Sequence, residues 1–382
     1  MTRKTGYVWH EKYAWHDTGT HAGLVPSGGY VQPYRNFESP DSKARFAGLV
    51  EVSGLLESLT RVPAREVSDE DLLRVHTEAH VARIRTQSEA EGGDAGDGFS
   101  PFGRGAFELA KLAAGGTLAA ARAVLSGEVR NAYALVRPPG HHAEPDQGRG
   151  YCLFANVPIA IEALRAEGLV QRVAIFDYDV HHGNGAQKIY WDDPDVLTIS
   201  VHQDGLFPVD TGQVHEQGGG AGAGTNINVP LPAGSGDGAY WSVVERVAGP
   251  AIRAFAPDLL IVSSGFDPSA FDPLGRMSVT SHGFRGIAER LLDIADEACE
   301  GRVVFSHEGG YSSVHVPFCG IAVLEAMSGI TTDVVDPFEV SIGASPTKPL
   351  TAWQADVITQ SAELARALGM IVEDGAGGAA TP

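Results

Sequence analysis

Val173-Ala-Ile-Phe176-Asp177-Tyr-Asp179-Val-His181-His182-Gly-Asn184-Gly185 joins a short apolar run to a cluster of carboxylates and imidazoles. The run Val173–Phe176 is continuous rather than alternating, as expected for a strand of a parallel sheet covered on both faces. Further runs of the same kind stand at Tyr133–Val136, Val196–Val201, Leu259–Val262 and Val303–Phe305. Each leads into polar residues: Arg137-Pro-Pro-Gly-His141-His142, Ser200-Val201-His202, Ser263-Ser-Gly-Phe-Asp267 and His307-Glu308-Gly-Gly-Tyr311. Strand ends of a parallel sheet lie along one edge, where α/β proteins place their sites, so these clusters are expected to converge.

Between the runs lie stretches with helix endings. Pro158-Ile-Ala-Ile-Glu-Ala-Leu stops at Gly168, and Ser281 is placed to cap a helix ending near Gly301. Pro317 sits in the first turn of a helix through Ile321–Met327, with Gly329 after it. Ser68-Asp-Glu-Asp71 resembles a capping box that opens a helix through about Arg85, and Ala106–Leu125 reads as a buried helix. This alternation predicts one α/β domain with a mostly parallel central sheet flanked by helices. Its expected span is residues 1–370, with 371–382 a disordered tail. The first 40 residues read as loop and short helix. The Gly-rich segments 88–104 and 203–226 read as long loops, a length that is usually functional or disordered.

Composition limits the partners. The 382 residues are 43% hydrophobic and 20% charged, ordinary for a globular chain. A net charge of -20 argues against nucleic acid, and would instead attract cationic ligands or simply keep the chain soluble. Cys152, Cys299 and Cys319 are too few and scattered for a disulfide framework or thiolate metal site. No signal-peptide core and no run near the ~18 apolar residues of a membrane span is visible. A reduced, soluble, cytoplasmic setting is the expectation.

Asp179 and His181 are two apart, so in an extended stretch both point to one side. With Asp267 from another strand end they make three protein ligands and leave one position free, the open arrangement of a catalytic zinc site. An isolated Asp-x-His is more often a hydrogen-bonded pair; the third carboxylate and the neighbouring histidines favour metal. His141-His142, after a rigid Pro-Pro-Gly turn, supplies the base and acid that such a hydrolase needs, with Asp177 and Asn184 as candidate partners. Tyr311 follows two glycines that let its phenol turn inward, where a hydroxyl aimed at a scissile carbonyl contributes about 3 kcal/mol. His76 and His80, four apart, lack the following Glu of a helical zinc motif and read as helix packing or surface. Gly218–Gly224 lacks the context of a phosphate loop, and no Gly-x-Ser-x-Gly elbow is present.

Arg137-Pro-Pro-Gly-His-His-Ala, Asp177-x-Asp-Val-His-His-Gly-Asn-Gly, Gly265-Phe-Asp and Glu308-Gly-Gly-Tyr, in this order, resemble the histone deacetylase family. More narrowly, the chain is similar to its bacterial class II amidohydrolases from Gly6 to about Gly329. The resemblance implies an arginase–deacetylase fold and hydrolysis of an acylated lysine or similar acylamide. It places zinc on Asp179, His181 and Asp267, makes His142 the general base and acid, pairs His141 with Asp177, and gives Tyr311 the acyl carbonyl. It further implies a potassium ion held by Asp177, Asp179, Ser200 and the carbonyls of His181 and Val201. Phe154 and Phe207 would wall the acyl-lysine tunnel, Gly150 its backbone, and Asp97 would be the rim carboxylate for substrate amides. Homo-oligomers, dimers or tetramers, are implied as well, with loops 15–40 and 203–226 as contacts.

The nearest rival reading is an acetylpolyamine amidohydrolase, where an acidic gatekeeper stands in the Asp-Pro-x-Gly stretch. Here Leu274 occupies that position in Asp272-Pro-Leu-Gly, which weighs toward acyl-lysine-type substrates. A non-catalytic acyl-lysine binder would be expected to have lost a ligand, a His or the Tyr; a manganese ureohydrolase needs more bridging aspartates. Iron can also occupy such a mixed N/O site.

Overall fold

The computed structural model describes residues 4–342 and 349–369; the expected tail 371–382 lies outside them. The apolar runs pair into one eight-stranded sheet. Its strands are β1 (Thr5–Val8), β2 (Thr60–Arg61), β3 (Asn131–Ala134), β4 (Val173–Asp177), β5 (Val196–Gln203), β6 (Asn226–Leu231), β7 (Leu259–Ser264) and β8 (Val303–His307). They run in the order β6-β5-β4-β7-β8-β3-β1-β2, every pairing parallel. The register sets Asp177 beside both Ser200 and Ser263, so the polar strand ends stand in one row.

Both faces are covered, which is why the strands show no alternation. Phe176, Leu260, Val262 and Phe305 join one core with helices α1 (Asp41–Val52), α4 (Ser281–Ala298) and α5 (Val316–Ser328). Ile175, Leu259, Ile261 and Val304 join the other, against α2 (Ala106–Leu125) and α3 (Asn156–Ala166). Each such side chain contributes roughly 1.5–3 kcal/mol on burial, so an apolar residue is favoured at every position.

Several expectations are corrected. The first predicted run begins two residues early as a strand: Asn131–Ala134 pairs, while Leu135 and Val136 continue buried beyond it. Strands β1, β2 and β6 were not expected. β1 is four residues with a glycine, and β6 contains Asn226, Asn228 and Pro230, a composition tolerated because β6 is a sheet edge. That edge is covered by α6 (Ala352–Ala367), whose Ser361 hydroxyl donates to the Asn228 carbonyl. Loop 88–104 contains a small hairpin pairing Gly93–Asp94 with Pro101–Phe102.

The cap of α4 is Thr280, whose hydroxyl accepts from Gly283 N, with Ser281 already inside the helix. The Ser68 capping box forms, but its helix ends at Leu73, and a second helix, Glu78–Glu89, starts from a Thr77 cap. The break has a tertiary cause. Thr77 N donates to the Pro145 carbonyl and His76 Nδ1 to the Glu144 carbonyl, turning the chain toward the histidine loop. His76 and His80 are both buried, so the surface alternative falls away.

Candidate active site

The loop after β3 is fixed before its histidines appear. Arg137, fully buried, holds Glu38 through two 2.8 Å hydrogen bonds and donates to the carbonyls of Tyr13 and His16. Such a bidentate pair orients as well as attracts. At the other end of the turn, Glu308 accepts from Gly140 N at 2.6 Å and His141 N at 3.1 Å. The imidazoles that follow lie 3.9 Å apart, ring centroid to ring centroid.

Their partners differ. His141 Nδ1 donates to Asp177 at 2.9 Å, whereas His142 Nδ1 donates to the Asn184 side-chain carbonyl at 2.7 Å. Burial works against a charged His141, but the carboxylates of Asp179 and Asp177 outweigh it and raise its pKa well above the usual value. For His142, burial and the neighbouring His141 and His181 act together and hold it well below. Two adjacent imidazoles are thereby pushed in opposite directions, His141 toward the cation and His142 toward the neutral ring.

Beside them, ligand-type atoms of Asp179, His181 and Asp267 lie within 4.8 Å of one another, all buried. His181 Nδ1 is 3.0 Å from Asp179 Oδ1 and 3.1 Å from Asp267 Oδ2. Asp267 Oδ2 has no hydrogen-bond donor, and its acid is pushed up to about 8 by burial and by Asp179. Two dry carboxylates with converging oxygens call for a cation between them. Room is kept for it: a Cβ on Gly309 would come 2.2 Å from Asp267 Oδ2. The donor set and the orphaned oxygen therefore fit a bound metal with one imidazole and two carboxylate ligands.

A cavity of about 240 Å³ opens onto this cluster. Asp97, His142, Gly150, His181, Phe207, Leu274 and Tyr311, all singled out in the sequence, line it. Phe207 packs edge-on to His142 at 4.9 Å, and Tyr311 lies 6.5 Å from the His181 ring. Burial raises the Tyr311 phenol well above its usual value, so it stays a hydrogen-bond donor. Asp272 accepts from the amides of Tyr311 and Ser312, fixing the turn that carries the phenol.

Phe154 is a correction. Its ring, 1% exposed, packs against His76, His80 and Phe107 beneath the site rather than along the channel. Tyr151 lines the channel instead. Gly150 and Tyr151 both adopt left-handed backbone, φ 52° and 70°, which reverses the chain there. Asp97 pins this turn by accepting from Gly150 N at 2.8 Å, and Ser100 does the same for Tyr151 N. Asp97 thus serves its own chain as well as facing the mouth. Leu24, Phe99 and Leu206, not singled out from the sequence, complete the apolar lining.

A Cβ on Gly150 would sit 2.3 Å from His142 Cδ2. Gly150→Ala is therefore expected to displace the ring and lower kcat/KM by roughly 100-fold without loss of metal. Wild-type kinetics in that variant would show the ring free to move.

Ser200 lies beside Asp177, and its hydroxyl meets His202 Nδ1 at 2.9 Å and accepts from Gly183 N. Val201 is buried in β5. With Asp177, Asp179 and the His181 carbonyl these offer oxygen donors only, suited to a hard cation. A larger cleft of about 840 Å³, between α1 and Trp9–Glu11, contains none of these residues. No helix among the described residues is long and apolar enough to cross a membrane.

Fold and site together place a buried cluster able to hold a metal at the strand ends of a parallel α/β sheet. The profile of the histone deacetylase domain matches residues 36–327, and the chain belongs to the histone deacetylase family. It is 48% identical over 340 residues to the histone deacetylase-like amidohydrolase of Pseudomonas aeruginosa, covering 88% of this chain and 89% of that one. A probable deacetylase of Archaeoglobus fulgidus is 36% identical, over 87% of this chain and 88% of its own. The crystal structure of the HDA15 HD domain superposes with a TM-score of 0.81 at 31% identity, covering 97% of each chain. The family comprises metal-dependent hydrolases acting on acylated amines.

Proposed function

We propose that this chain is a zinc-dependent amidohydrolase that removes acetyl or related acyl groups from N-ε-acyl-lysine or similar acylamides. The observation that carries the reading is the Asp179–His181–Asp267 triangle at the base of an apolar channel, with His142 and Tyr311 on its walls. Zinc held by these three residues would polarise the acyl carbonyl and acidify a water molecule. His142, with Nδ1 committed to Asn184, uses its other nitrogen to take the water's proton. Tyr311 donates to the developing oxyanion, and a protonated imidazole of the His141–His142 pair returns a proton to the leaving amine. The cationic His141, held by Asp177, stabilises the negative charge that builds between them.

The channel walls favour an acylated over a free lysine, because an ammonium would lose its hydration among Phe207, Tyr151 and Leu274. A potassium ion on Asp177, Asp179, Ser200 and the His181 and Val201 carbonyls is part of the same proposal. So are a cytoplasmic setting, a homodimer or homotetramer and a single catalytic domain spanning 1–370.

The test compares hydrolysis of an acetyl-lysine peptide and N-acetylputrescine before chelation, after it, and after zinc is restored. Peptide turnover that is lost on chelation, returns with zinc and exceeds polyamine turnover is expected. Activity indifferent to chelation would refute the metal reading; a polyamine preference would move the function to acetylpolyamine hydrolysis. Leu274→Glu, a carboxylate at the channel, is expected to shift the kcat/KM ratio toward N-acetylputrescine by about 10-fold, and less at high salt. No shift would remove Leu274 as a determinant.

A further inference from the structure

Behind the histidine pair, on the side away from the channel, Glu144 is 5% exposed and surrounded by donors. Oε1 accepts from Asn184 Nδ2 at 2.7 Å and Arg149 Nη1 at 3.2 Å. Oε2 accepts from Lys188 Nζ at 2.5 Å and Gln147 Nε2 at 3.3 Å. Asn184 and Lys188 are four apart in the short helix Asn184–Ile189, so one helix face supplies both the amide and the countercation. All four of these hydrogen-bond partners are donors, so both carboxylate oxygens accept.

An asparagine amide has two orientations of nearly the same shape, and its surroundings choose between them. Here Glu144 Oε1 and the His142 carbonyl both face Nδ2, at 2.7 and 3.2 Å. Flipping the amide would set its oxygen against a carboxylate. The orientation that remains turns Oδ1 toward His142 Nδ1, 2.7 Å away, and an oxygen there requires Nδ1 to carry the hydrogen. Nε2 is then the unprotonated nitrogen. A flipped amide would present N–H to Nδ1 and favour the other tautomer, with Nε2 protonated and unable to accept a proton.

We propose that Glu144 is a positioning residue that locks the Asn184 amide and, through it, the tautomer of His142. This rests on His142 as the general base. Glu144 touches no substrate; it lines a separate cleft of about 610 Å³ with Lys188 and Arg149.

The experiment measures kcat and KM on an acetyl-lysine peptide, with metal content and Tm, for a set of variants. Glu144→Leu fills the volume without an acceptor and is expected to lower kcat by roughly 10- to 100-fold with KM and metal content unchanged. Glu144→Gln, whose carbonyl still accepts from Asn184, is expected to recover most of that loss. Wild-type kcat in Glu144→Leu, or no recovery in Glu144→Gln, overturns the inference. Should Glu144→Leu not fold, a volume-conserving pair carries the test. Asn184→Asp sets two carboxylates together and is expected to be impaired; Asn184→Asp with Glu144→Gln restores a donor facing an acceptor and is expected to regain kcat. A double variant no better than the single overturns the proposal. His142→Ala separates the two readings: full activity there refutes His142 as base, whereas loss there with Glu144→Leu unaffected refutes only the role of Glu144.

Discussion

His142→Ala is expected to lower kcat by about 10²- to 10⁴-fold, the range for removing a positioned general base, while zinc stays bound. The imidazole is 2% exposed, held at Nδ1 by Asn184, backed by Gly150 and flanked edge-on by Phe207. Its pKa is driven down by burial first and then by the neighbouring His141, so the ring is neutral and able to accept a proton. It lies outside the Asp179–His181–Asp267 triangle, so metal content is the control. A fall in kcat with full zinc occupancy places the defect in proton transfer. Full activity with full zinc would remove His142 from the chemistry.

Tyr311→Phe is expected to cost about 10²- to 10³-fold in kcat, the effect of deleting one oxyanion donor. The substitution removes one oxygen and keeps the ring, which packs against Tyr151 at 5.7 Å and lies under the Lys43 ammonium at 5.1 Å. Asp272 holds the backbone amide of residue 311 whatever the side chain, so the turn should persist. Stability and zinc content are therefore expected to match the parent, and KM to change less than kcat. Equal turnover in Tyr311→Phe would make the phenol a wall of the channel and nothing more.

Much of this site was legible because chemistry and strand are contiguous in the chain. Asp177, Asp179 and His181 leave β4 within five residues, and Asp267 and Tyr311 follow β7 and β8 equally closely. Once the runs are taken as parallel strands, convergence follows from topology. Tyr151 was not legible in this way. The resemblance implies Phe154 as the wall, whereas two successive left-handed residues turn Tyr151 to the channel and leave Phe154 against His76 and His80. Positive φ at a tyrosine has no local signal beyond the preceding glycine.

The sequence by itself determined the parallel α/β class, the strands that carry polar ends, and the residues able to bind a metal beside a histidine pair. Those follow from hydrophobic continuity and residue chemistry, both local properties. Only the tertiary structure decided what depends on contacts between distant segments: Arg137 clamped to Glu38, Glu308 beneath the histidine loop, Asp272 under Tyr311, and Glu144 behind Asn184. The same holds for the helix broken at His76 and for the edge strand β6, paired to β5 and covered by α6. A buried carboxylate takes its partner from whatever the fold brings within about 3 Å, and no local pattern encodes that distance.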